Sequence, residues 1–161
     1  NDFLVATGAE TYHGAPIYLM QKDVRELQYA KAAIAAGIQI LCKEWGIEPG
    51  NIDQIYLAGA LGNYVNTYSA MRIGLIPKVE PRHVASLGNA ASTGAAMALL
   101  SRAYWDMANN LTRDIEHVEL SCRRDFFEHF ITNMDFPEAY EWERRQPVAE
   151  EPDVMEQQRY G

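Results

Sequence analysis

Apolar and polar positions alternate between two patterns along this chain: short apolar runs of strand type, and longer stretches whose apolar residues return every third or fourth position. Residues 3–7 and 16–20 predict two short strands, and the glycine-flanked segment 8–15 between them suits a hairpin loop. Asp23 predicts a helix N-cap, with Glu26 three residues on completing a capping box. Val24, Leu27, Ile34, Ile38, Leu41 and Trp45 then fall on one predicted buried face, and Gly46 supplies the stop. A turn over 48–51 leads into the apolar run Ile55, Tyr56, Leu57, Ala58, a buried strand.

A short helix is predicted over 67–72, capped around Asn66 and Thr67 and closed by Gly74 and Pro77. Residues 84–87 read as a further strand, followed by one helix running through Met97 and Tyr104 to about Met107. Residues 115–120 alternate as an edge strand, and Ser121 caps a last helix whose Phe127, Phe130, Ile131 and Met134 are core residues. Residues 1–136 thus form the body. Residues 137–161 read as a loosely ordered acidic tail, its first part pinned by Tyr140 and Trp142. Strands alternating with helices imply an α/β fold with a parallel component, opened by an antiparallel hairpin.

Two strand-to-helix junctions built of small residues carry the candidate chemistry. The first is Gly59, Ala60, Leu61, Gly62, Asn63; the second is Gly88, Asn89, Ala90, Ala91, Ser92. Glycine at a strand end lets a ligand approach the backbone without meeting a Cβ, and ligands of open α/β sheets bind in such crevices. A tight turn or close helix packing satisfies the same pattern. Asn89 suits either a ligand contact or the left-handed residue that turns strand into helix. His13, in the hairpin loop, reads as a solvated histidine.

Composition narrows the classes. With 161 residues, 48% hydrophobic and 22% charged, the chain fits one domain. A net charge of −8 without a basic block argues against nucleic acid as a partner, although eight acids and three arginines of that balance lie in 135–161. Cys42 and Cys122 are isolated, which gives neither a zinc site nor an iron–sulfur cluster, and Cys42 reads as a small core residue. No apolar run approaches a membrane span and no signal peptide is evident, so the expected compartment is the cytoplasm. The first residue is Asn1 and strand character follows at once, the expectation being a piece of something longer.

The element order resembles the second half of an actin-like (ASKHA) ATPase lobe lacking its first strand: a ribonuclease-H-like half-lobe, a mixed sheet with helices packed on it, plus an added C-terminal strand and helix. Four phrases resemble, in order, the C-terminal part of the reductive activators of corrinoid proteins: Lys22 to Ile34, Ala58 to Tyr64, Ala70 to Pro77 and Leu87 to Ala95. The resemblance covers about residues 3 to 137. It implies a parent that uses ATP to return cob(II)amide to cob(I)amide on a corrinoid protein of a methyltransferase system, its electron entering through a [2Fe-2S] domain absent from this chain. It implies half of a nucleotide site for ATP with Mg²⁺, the phosphate-gripping loops lying upstream, and no catalytic residue or metal ligand here. Gly59, Ala60, Gly62 and Asn63 would flank ribose and adenine, with Ala60 standing where the family motif has a second glycine. Gln28 and Lys31 would flank the base from the long helix, although Lys31 also fits a solvated helix face. Gly88, Asn89 and Ser92 form a second group. Two other readings remain open: part of another ASKHA kinase, or a non-catalytic binding or dimerisation module, a homodimer among the options, that has lost nucleotide affinity.

Overall fold

A computed structural model describes residues 2–138. The elements run β1 (Phe3–Ala6), β2 (Ile17–Leu19), α1 (Gln21–Trp45), β3 (Ile55–Ala58), α2 (Gly59–Tyr64), α3 (Thr67–Arg72), β4 (Val84–Gly88), α4 (Ala90–Leu100), α5 (Arg102–Asp114) and α6 (Arg124–Thr132). The strands form two pairs. β1 and β2 are antiparallel, with an irregularity between Leu4 and Ala6. β3 and β4 are parallel and in register from Ile55 opposite Val84 to Leu57 opposite Ser86. The α2–α3 crossover that parallel strands require joins them.

The α/β class and its hairpin opening agree with the pattern, and several details differ. α1 begins three residues earlier than expected. Met20 is its N-cap, and Asp23 sits at the third helical position, its carboxylate accepting the Met20 N–H at 2.8 Å. Gly46 closes the helix at φ +74°. The buried face of α1 is not the one its large apolar residues outline: Leu27, Ile34, Leu41 and Trp45 are exposed, while Lys31, Ala32, Ala35, Ala36, Ile40 and Cys42 are buried. Small side chains let neighbours come close, and α1 is covered here by α6 and by Leu120, whose Cδ1 lies 3.3 Å from where a Cβ on Gly37 would stand. Residues 115–120 form no strand, since no edge pairs with them. Ser121 caps nothing; its hydroxyl donates to Glu119, and Arg123 is the N-cap of α6. The helix expected to reach Met107 breaks at Ser101, whose φ of −142° is extended.

Polar side chains tie α6 to α1. Arg123 bridges Glu44 at 2.7 Å and Asp125 at 2.9 Å, and Lys43 reaches Asp125 at 3.2 Å. Gln39 and Asn133 exchange two amide hydrogen bonds of 3.3 and 3.0 Å. Of the four residues of the last helix expected in the core, Phe130, stacked between Tyr29 and Phe126, and Met134 are only half-buried, and Phe127 and Ile131 are exposed, because α6 meets α1 largely through polar side chains. Burial of Cys42 raises its thiol pKa, with Glu48 adding to the effect, which suits an inert core residue. A second core lies under β3 and β4, where Ala70, Met71 and Ile76 pack against Ile55, Leu57 and Val84. Residues 139–161, with Tyr140 and Trp142, lie outside the described residues.

Candidate functional site at the ends of two parallel strands

Parallel pairing brings the two small-residue junctions side by side. Ala58 stands opposite Gly88, and α2 packs on β4 as well as on β3. Both junctions turn through a glycine of positive φ, Gly59 at +85° and Gly88 at +61°. That conformation is disfavoured for any residue with a Cβ. Asn89 therefore is not the left-handed residue. It has φ −80° and caps α4, its Oδ1 accepting the Ser92 N–H at 3.2 Å.

Glycine serves two purposes in the first junction. A Cβ on Gly62 would lie 2.7 Å from the Leu57 carbonyl carbon, so this glycine lets α2 close onto β3. A Cβ on Gly59 would meet nothing within 4 Å. Gly59 thus leaves its face of the junction open, and Gly62 is consumed by packing. The pattern makes residues 59–63 a junction ahead of a helix over 67–72; in the structure a helix of its own, α2, starts at Gly59. Ala60 and Asn63 lie on this helix between and beyond the two glycines.

The α1 candidates are placed differently. Gln28 is half-buried. Lys31 is only 1% exposed, so it does not sit on a solvated helix face. Its Nζ donates to the Asp135 carbonyl and lies 5.3 Å from the centroid of the Phe136 ring, a cation–π arrangement. Burial lowers its pKa, and the Asp135 carboxylate pulls in the opposite direction. The structure thus brings 59–63 and 88–89 together and takes Lys31 to the segment after α6. His13 is exposed, its Nδ1 accepting the Ala15 N–H. Among the described residues no cluster of His, Cys, Asp and Glu could hold a metal ion, and no helix is long and apolar enough to cross a membrane. The Gln39–Asn133 pair was invisible to sequence reasoning, since 94 positions separate its partners.

Residues 1–145 match the family described as the C-terminal domain of RACo, the ASKHA domain. The chain belongs to this family. Its fold is accordingly the mixed α/β, actin-like arrangement of ASKHA domains. It is 40% identical over 134 residues to the corrinoid activation enzyme RamQ of Eubacterium limosum, covering 83% of this chain and 23% of that protein. It is 24% identical over 145 residues to the [Co(II) methylated amine-specific corrinoid protein] reductase of Methanosarcina barkeri, covering 89% of this chain and 26% of the relative. A solved structure of a reductive activator for corrinoid, iron–sulfur protein superposes with a TM-score of 0.78 at 30% identity, over 84% of this chain and 22% of that one. The chain therefore spans about a quarter of the length of its curated relatives.

Proposed function

We propose that this chain is the C-terminal ASKHA part of an ATP-dependent reductive activator that returns a corrinoid protein from cob(II)amide to cob(I)amide. Its own contribution is the adenosine side of the nucleotide site. The relatives named for corrinoid activation and reduction support the parent's role. The observation that supports the nucleotide role is the open face of Gly59 beside Gly88, at the carboxyl ends of two parallel strands. Gly59, Ala60 and Asn63 with Gly88 and Asn89 line the adenosine, and Gly62 serves the site by letting α2 close onto β3. ATP and Mg²⁺ are shared with the remainder of the parent, which also carries the [2Fe-2S] cluster, and the complex works in the cytoplasm. Gln28 flanks the base from α1. Lys31 joins it only when the segment over it moves.

The test uses the full-length protein. Gly59→Ala adds one methyl to the open face, and its expected effect is a fall in ATP affinity of at least tenfold by titration calorimetry. Gly50→Ala, whose methyl also meets nothing within 4 Å, leaves the affinity unchanged. Failure of the full-length protein to bind ATP at millimolar concentration, or unaltered affinity in Gly59→Ala, rejects the nucleotide assignment. Failure to form cob(I)amide on any corrinoid protein, read by absorbance, rejects the parent's role.

A further inference from the structure

Among the described residues Lys31 is the buried charged side chain, and lining the adenosine does not account for its burial. A buried ammonium is tolerated where other groups replace the water it has lost. Here the Asp135 carbonyl accepts from Nζ, the Phe136 ring centroid lies 5.3 Å away, and the Asp135 carboxylate adds an opposite charge. All three favour the charged lysine, and all three come from the segment that follows α6. Asn133 ties the start of that segment to Gln39 on α1.

The same segment reaches the turn that closes α3. Gly74 turns at φ +76°, its N–H donating to the Met71 carbonyl at 3.1 Å and the Leu75 N–H to the Ala70 carbonyl at 2.8 Å. Pro137 fills the side of Gly74 where another residue would carry a Cβ, which would stand 3.0 Å from Pro137 Cγ and 3.8 Å from Lys31 Nζ. Ala70, Met71 and Ile76, on either side of Gly74, pack against Ile55, Leu57 and Val84 of β3 and β4. Met71, Gly74 and Ile76 also line a cavity of about 170 Å³, so on that side the turn has no packed neighbour to hold it.

We infer that the charged Lys31 is a positioning residue of the nucleotide site: it holds residues 135–137 on the Gly74 turn, and the turn, through Met71 and Ile76, sets the strands that lead into Gly59 and Gly88. The inference rests on the nucleotide reading proposed above. Without the ammonium the Asp135 carbonyl loses its donor and the Phe136 ring its cation. Pro137 then leaves Gly74, and the turn shifts toward the cavity beside it.

Full-length Lys31→Met tests this with two readouts, amide exchange at Gly74 and Leu75 and ATP affinity by titration calorimetry. The expected result is exchange at least tenfold faster and affinity at least threefold weaker. Lys31→Arg, which keeps the charge, should lie closer to wild type in both. Lys22→Met, at an exposed lysine, is expected to change neither. Phe136→Leu should move both readouts in the same direction by a smaller factor, and should add little to Lys31→Met because the two act through one contact. Phe136→Leu decides alone should Lys31→Met fail to fold. Unchanged exchange at the turn overturns the inference, also where affinity falls, since Lys31 would then touch the nucleotide itself. Faster exchange with unaltered affinity overturns it as well, leaving Lys31 a purely structural pin. A wild-type protein that binds no ATP rejects the nucleotide reading and this role with it.

Discussion

At the scale of single residues, identical amino acids in one short motif answer to different forces. Gly62 is a packing glycine, because its missing Cβ is the space through which α2 reaches the Leu57 backbone. Gly62→Ala forces strand and helix apart, and overpacking of this kind costs about 1–3 kcal/mol. Urea denaturation of the full-length protein should register that loss with Gly50→Ala as a near-neutral reference. A Gly62→Ala variant as stable as wild type would mean that α2 does not sit this close to β3. Gly59→Ala should cost less, on the order of 1 kcal/mol, because only its backbone angle is unfavourable. Sequence marked both glycines but could not assign these roles, since the distinction lies in what stands opposite each one. Asn89 shows the same limit: asparagine suits a left-handed turn and a helix cap alike, and Gly88 beside it took the turn.

At the scale of elements, local signals were reliable where the force is local. The Gly46 stop, the Asn66 cap with its 2.9 Å bond to the Ser69 N–H, and the β3 and β4 runs were all legible. Faces and pairings depend on partners elsewhere in the chain, and there periodicity misled. It marked the large apolar residues of α1, whereas the structure covers the alanines and Lys31. It marked 115–120 as a strand, yet an alternating run without an edge to join stays unpaired. The α1–α6 contact is also electrostatic. Hydrogen bonds from Arg123, then Lys43, hold the Asp125 carboxyl well below the usual carboxylate range. A carboxylate with a lowered folded-state pKa stabilises the fold above its unfolded value, 3.8, and that contribution is lost as pH falls below it. Between pH 5 and about 2, α6 amides are therefore expected to lose exchange protection. Asp125→Asn should flatten that dependence, and an equally steep loss in the variant would assign the acid sensitivity elsewhere.

At the scale of the whole molecule, the described chain has more apolar surface than its own elements cover. Both strands of the β1–β2 hairpin expose Phe3, Val5, Ile17 and Tyr18, and an isolated two-stranded hairpin is marginal in water. Eight of the eleven residues of α4 are alanine, leucine or methionine, a composition that belongs in an interior, yet Leu99 and Leu100 are each 84% exposed. The chain spans about a quarter of its relatives' length, and on the reading proposed above the rest of the parent is the natural cover, which substitution can weigh directly. Leu99→Asp with Leu100→Asp changes stability by no more than about 0.5 kcal/mol per site if these leucines stay in water. Covered leucines bring about 1.5–3 kcal/mol each on burial, and a buried carboxylate adds a further cost. We expect the larger loss in the full-length protein, read by urea denaturation. A double variant with wild-type stability would mean that α4 stands bare in the parent as well, and its apolar surface would then require a separate partner.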